Sequence, residues 1–197
     1  MGKAAAQAGR YLEQGMFDEA VVYYKKALKR DPANRQLRLD YARALTGNQL
    51  YERAIAEYEY CVKTAPGDAA IALSLGKVWE SIGDYERAAE VYEQALQSVP
   101  AHCLLRYKLA EAYAAQGREH EAIVEFKRNL QQCPQHLESL LGLAQTYLQQ
   151  KNYALAATWF ENAMAVNPQD TRFRQGLGIV YFARGDYDAA IQELQSA

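Results

Sequence analysis

The sequence has no run approaching the ~18 consecutive apolar residues of a membrane-spanning helix, and its opening, MGKAAAQAGR, holds no apolar block that would act as a secretory signal. Met1-Gly2 fits the start of a myristoylation signal, but Ala6 stands where Ser or Thr is needed. Charge of one sign is lacking too: the formal net charge is −2 with a pI near 6.0, and like charges do not cluster. The electrostatic footprint of nucleic-acid binding is therefore missing. Cysteine is scarce, with three in 197 residues. Without a secretory signal these thiols are expected to stay reduced, which disfavours a Cys103–Cys133 disulfide. Together the absences point to a soluble, cytoplasmic protein that binds neither nucleic acid nor membrane.

Proline is rare as well, but its five copies are ordered. Pro32, Pro66, Pro100, Pro134 and Pro168 each follow the last by 34 residues, with no insertion or deletion between them. A fixed period of this length marks a repeat array rather than one globular core. The repeats are 1–34, 35–68, 69–102, 103–136, 137–170 and 171–197, the last incomplete and without a capping helix, and the whole chain 1–197 is expected to form a single array. Positions are numbered below as slots, counted from the first residue of each repeat.

In the third repeat Leu75, Val78, Trp79 and Ile82 fall at helical spacing, and so do Ala88, Val91, Tyr92, Ala95 and Leu96. Two helices are implied. Gly83 frees the turn between them and Asp84 is placed to cap the second, which Pro100 then ends. Slots 8 and 20 are always small: Ala8, Ala42, Gly76, Ala110, Ala144 and Gly178 in the first helices, Ala20, Ala54, Ala88, Ala122, Ala156 and Ala190 in the second. Slots 11 and 24 are large, for example Trp79 and Tyr113, then Tyr92 and Phe126. Small slots let helices approach closely, and the large side chains fill the space between hairpins.

This pattern resembles the tetratricopeptide repeat family over the full length of the chain. The resemblance implies an all-α fold, a right-handed α–α superhelix (solenoid) of tetratricopeptide-type helix hairpins, in which the first helices line a concave groove. It names an architecture and not one activity.

Enzyme signatures are missing. Gly176-Leu177-Gly178 is a GxG inside a helix with no strand before it, so it is not a dinucleotide fingerprint, and Gly178 is the small contact residue of its repeat. His102, Cys103, Cys133 and His136 have to be weighed as a zinc site, since a hairpin brings its two ends together. Converging four such ligands within bonding distance is less natural than turn-surface histidines and half-buried thiols. Cys61 stands in a small slot and belongs to packing; His120-Glu121 reads as a solvated helix start. No catalytic residue, cofactor or metal ligand is assigned.

Carrying the family's groove slots onto this chain gives Leu39, Arg43, Leu73, Lys77, Tyr107, Lys108, Glu111, Leu141, Gln145, Ile179 and Phe182 as peptide-binding residues. Leu39, Leu73, Tyr107 and Leu141 recur one repeat apart as an apolar row, flanked by Arg43, Lys77 and Lys108. Apolar side chains with basic neighbours suit an acidic peptide, centred on Leu73, Lys77, Tyr107 and Lys108. The competing reading is a solvated face in which the cations pair with Asp40, Glu80 and Glu111. The asparagines by which chaperone-tail binders clamp a carboxylate are absent. So is the asparagine ladder of the protein N-acetylglucosaminyl transferases, since slot 6 holds Ala6, Asp40, Ser74, Lys108, Gly142 and Gly176. The expected function is a non-catalytic adaptor or scaffold binding a protein or peptide partner. The alternatives are a targeting or regulatory segment of a larger, enzymatic protein, and a scaffold that self-assembles through its terminal repeats, a homo-oligomer formed at the uncapped C-terminal repeat.

Overall fold

A computed structural model describes residues 2–196. Met1 and Ala197 lie outside the described residues. Among the described residues all regular structure is helical, and packing divides the chain into two compact units meeting at Pro100 and Ala101. The first unit contains α1 (Lys3–Glu13), α2 (Phe17–Leu28), α3 (Arg35–Gly47), α4 (Tyr51–Thr64), α5 (Ala69–Ser81) and α6 (Tyr85–Ser98). The second contains α7 (Cys103–Ala115), α8 (Glu119–Gln132), α9 (Leu137–Gln149), α10 (Tyr153–Val166), α11 (Thr171–Arg184) and α12 (Tyr187–Gln195). Each unit is three hairpins, and within a unit each helix packs on the next in sequence.

One turn closes every hairpin. The slot 16 N–H donates to the slot 11 carbonyl at 2.9 Å in all six, from Met16 to Tyr11 through Asp186 to Tyr181. That bond requires a left-handed residue at slot 15. Gly83 and Gly117 supply it without strain at φ 80° and 73°, whereas Gln49 and Lys151 are forced to 58°. Asp84 caps α6 as expected, accepting from the Arg87 N–H at 3.0 Å.

The odd-numbered helices from α3 on are capped by the last residue of the preceding repeat: Asn34, Asp68, His102, His136 and Asp170 each accept from the first turn. The carboxylate and amide caps follow the usual preference. The histidines do the same through Nδ1, His102 accepting from Leu105 N and His136 from Ser139 N, both at 3.2 Å.

Slots 8 and 20 are buried in every repeat. A Cβ on Gly76 would overlap the Tyr92 ring, and one on Gly178 would overlap Leu194. Slot 24 is 0–3 % exposed from Tyr24 to Phe160, but Leu194 is 51 % exposed on the last hairpin, beside Ile191 at 54 %. Cys61 is fully buried, and burial pushes its thiol up from the ordinary range. It is a packing residue.

The reduced-thiol expectation fails in the second unit: Cys103 and Cys133 are joined as a disulfide, their Cα atoms 6.4 Å apart. Cys103 opens α7 and Cys133 is the C-cap of α8, so the hairpin itself brings the two sulfurs together at its base. Local geometry outweighs the argument from cysteine number.

Candidate peptide-binding surface

Odd-numbered helices present the slots singled out above. In the first unit Leu39 and Leu73 are half-buried on α3 and α5, while Arg43 and Lys77 are exposed. Arg43 pairs with Asp40 at 3.1 Å, and Glu80 accepts from the Tyr92 hydroxyl at 2.8 Å. A recess of about 590 Å³ opens between α1 and α3, where Ala5, Ala6 and Gly9 face Gln36, Leu37 and Asp40 over Tyr24. It exists because α1 carries small residues, and it lies a repeat away from Leu73 and Lys77. The Tyr24 phenol is pushed up to about 12 by burial first and by the Asp40 carboxylate second. The Tyr58 phenol is likewise pushed up, by burial first.

In the second unit four residues chosen by slot, Tyr107, Glu111, Leu141 and Gln145, line one recess of about 220 Å³ with Phe126, Gly142 and Thr146. Tyr107 forms its aromatic wall, its ring centroid 6.2 Å from Phe126 and 5.0 Å from His136. Phe126 can reach this far because slot 6 of the next repeat is Gly142, where a Cβ would strike the ring. The same holds for Phe160 and Gly176. Lys108 pairs with Glu111 at 2.7 Å, and Arg172 with Glu138 at 3.0 Å. Arg43 and Lys108 are thus engaged in the way the solvated-face reading requires. Ile179 and Phe182 stand apart from this recess, 53 % and 65 % exposed on α11, with Phe182 edge-on to Tyr187 at 5.6 Å.

Slots 4 and 23 show an alternation that slot-by-slot reading missed. Arg106–Glu125 at 2.7 Å and Arg174–Glu193 at 3.4 Å pair across their hairpins, as do Arg38 and Glu57. The intervening repeats hold Ala4 and Tyr23, Ala72 and Val91, Leu140 and Trp159. Leu140 and Trp159 accordingly line an apolar cleft of about 530 Å³ with Leu130, Pro134 and Val166. The signal was present in the sequence as a column alternating between charged and apolar residues.

Among the described residues no three His, Cys, Asp or Glu side chains gather to hold a metal ion, and no helix is long and apolar enough to cross a membrane.

Comparison with known proteins gives a consistent picture. Family models described as tetratricopeptide repeat match residues 11–78 and, for a second model, 73–136, 107–165 and 141–197. No curated protein sequence matches the chain. Among solved structures, a tetratricopeptide repeat protein from Parabacteroides merdae is similar at 18 % identity, with 99 % of this chain and 79 % of that chain covered and a TM-score of 0.83. MamA, residues 41 to the end, from Desulfovibrio magneticus RS-1 is similar at 22 % identity, covering 86 % and 99 %, with a TM-score of 0.74. YrrB, described as a TPR protein with an unusual peptide-binding site, is similar at 17 % identity, covering 87 % and 89 %, with a TM-score of 0.68. At these identities the likeness establishes the fold.

Proposed function

The chain belongs to the tetratricopeptide repeat family, and from that premise we propose that it is a non-catalytic adaptor or scaffold that holds a segment of a partner protein against its odd-numbered helices. Membership supports protein interaction in general; the surface and the partner chemistry are our reading. The carrying observation is that Tyr107, Glu111, Leu141 and Gln145, chosen by repeat position, border a single recess in the second unit. Leu39, Arg43, Leu73 and Lys77 on the first unit, and Lys108, Ile179 and Phe182 on the second, complete the proposed contact set. YrrB, with its peptide-binding site, gives a precedent on a similar fold.

The test is selection from a displayed peptide library with the wild-type chain, followed by binding measurements on Tyr107→Ala and Leu141→Ser. Selected peptides should lose at least about tenfold in affinity for each variant, as truncation of a buried anchor does. Undiminished binding to both would sink the reading.

A second reading, self-association through α11–α12, is favoured by one observation: Ile191 and Leu194 are more than half exposed, whereas Ile55 and Tyr58, their counterparts in the second repeat, are 7 % and 3 % exposed. Light scattering at rising concentration tests it, and a strict monomer removes it. The compartment is tied to the disulfide. The Cys103–Cys133 bond is disfavoured by the reducing cytoplasm and preserved by an oxidising compartment. Mass spectrometry with thiol alkylation on protein taken from its native cells decides between them.

A further inference from the structure

The cleft beside Trp159 lies between the even-numbered helices α8 and α10, and its charge is of one sign. Its floor is Leu130, Pro134, Leu140, Trp159 and Val166, while the rim carries Lys127 and the side-chain amides of Gln131 and Asn162. Among the described residues no carboxylate lines it. Nor does one lie in ion-pair reach of Lys127, whose ammonium stands 5.5 Å from the centroid of the Tyr147 ring.

The matching place in the first unit is built differently. Gly67 comes so near Ser98 there that a Cβ on the glycine would meet the serine Cβ at 3.0 Å. Val91 stands in the slot of Trp159, and the slots of Lys127 and Gln131 hold Glu59 and Lys63, charges of both signs. In the second unit the slots of Gly67 and Ser98 are filled by Gln135 and Val166, which are too large for so close an approach. Turn and helix therefore stand apart over the indole and leave about 530 Å³ open.

An apolar side chain entering this space removes indole and aliphatic surface from water. A basic neighbour would face Lys127 with no carboxylate to receive it, whereas an acidic neighbour would pair with it. The Gln131 and Asn162 amides can both donate to and accept from a peptide backbone crossing the rim. We propose that this cleft docks a segment of a partner protein in which a large apolar side chain stands beside an acidic residue, the first seated on Trp159 and the second paired with Lys127. The surface is distinct from the slots of the peptide-binding reading and does not depend on that reading.

The test uses the full chain labelled with ¹⁵N, whose two tryptophans give two indole N–H signals; Trp159→Phe identifies the one that matters. The probes are acetyl-Gly-Phe-Glu-Gly-amide, the same peptide with Lys for Glu, and the same peptide with Ser for Phe. The Phe-Glu probe should move the Trp159 signal saturably and leave that of Trp79, which is buried in the first unit, in place. It should bind about fivefold more tightly than the Phe-Lys probe, the scale of one exposed ion pair, and about tenfold or more tighter than the Ser-Glu probe. Raising salt from about 0.05 to about 0.5 M should narrow the gap between the acidic and basic probes. Lys127→Glu, at an exposed position, should reverse the preference with the fold intact, and Val166→Asp should weaken both probes. A Phe-Lys probe that binds equally well, or a preference that survives Lys127→Glu, overturns the proposal. So does octanoate that moves the Trp159 signal at the same concentration as the Phe-Glu probe, because the cleft would then take a free amphiphilic carboxylate and not a peptide. Shifts at Tyr107 and Leu141 with Trp159 unmoved overturn the cleft and leave the peptide-binding reading standing.

Discussion

The two units are built on one repeat but finish it differently at slot 24. The first unit uses tyrosine: Tyr24 lies beside Asp40, Tyr58 lies near the Thr46 and Ser74 hydroxyls, and Tyr92 donates to Glu80. The second uses Phe126 and Phe160, each lying against a glycine at slot 6 of the following repeat. Phenol and polar neighbour change together, and so do phenyl and glycine, because a buried hydroxyl needs a partner and a bare ring needs room. Redox chemistry also separates the units: the first has a lone buried Cys61, while the second has the Cys103–Cys133 bond.

The largest expected effect exploits the disulfide. Its cysteines are 30 residues apart, and a loop of that length gives about 3–4 kcal/mol of stabilisation in the chain-entropy account. Reduction, or Cys133→Ser, should therefore accelerate amide exchange in α7–α12 and leave α1–α6 at their former rates. Equal acceleration in both units would break the comparison. A smaller effect should be common to both. Ala88→Leu and Ala122→Leu overfill slot 20, which is fully buried in each unit, at a cost of about 1–3 kcal/mol. Unchanged thermal midpoints would show that slot 20 is not the tight contact described here.

Alkaline pH should separate the units in the opposite sense to reduction. Tyr24 titrates near 10 when unfolded and is pushed up to about 12 in the fold. The neutral phenol is favoured by folding, so its contribution is complete below pH 10 and is lost as pH rises from 10 through 12. That loss amounts to about 3 kcal/mol, and the Tyr58 shift, of the same sign, adds to it. Phe126 and Phe160 have nothing to ionise. Denaturant unfolding followed at α2 and at α8 should show a steeper alkaline decline at α2. Tyr24→Phe with Tyr58→Phe should flatten it, and a decline that persists in the double variant would assign the effect elsewhere.

Much of this architecture was legible because it is written six times. The period, the hairpin turn seen at Gly83 and the small slots all repeat, and each has a simple steric reason; the Asp84 cap recurs only at Asn152. Other features were present in the columns but were not read down them: the coupling of slot 24 to slot 6, and the alternation of Arg–Glu with apolar pairs at slots 4 and 23. The histidine caps were hidden because the residue type suggests ligation before it suggests capping. The disulfide was missed because compartment was allowed to outweigh a geometry that the hairpin already provided. The recess at Tyr107 was legible only through the resemblance to a known repeat, since nothing in Leu141 or Gln145 taken singly marks them as surface contacts. Its paired charges depend on rotamers that no pattern specifies.

The smallest predicted effect is the one expected to be alike in the two units. Gln49 and Lys151 occupy the left-handed position of their turns at φ 58°, where an L-residue with a Cβ is disfavoured by about 1–2 kcal/mol. The closing bonds there, Leu50 N to Leu45 O and Asn152 N to Tyr147 O at 2.9 Å, match those of the glycine turns, so the strain is accepted to keep the hairpin closed. Replacing either residue with glycine removes the strain but adds unfolded-state freedom worth about 0.5–1 kcal/mol. Gln49→Gly and Lys151→Gly should each stabilise the chain by a net amount of about 0.5 kcal/mol, read as a rise in denaturation midpoint at constant slope. The reverse change, Gly117→Gln, should lower the midpoint by a similar amount, and if the three shifts share one sign, the turn at slot 15 is not the source of the strain.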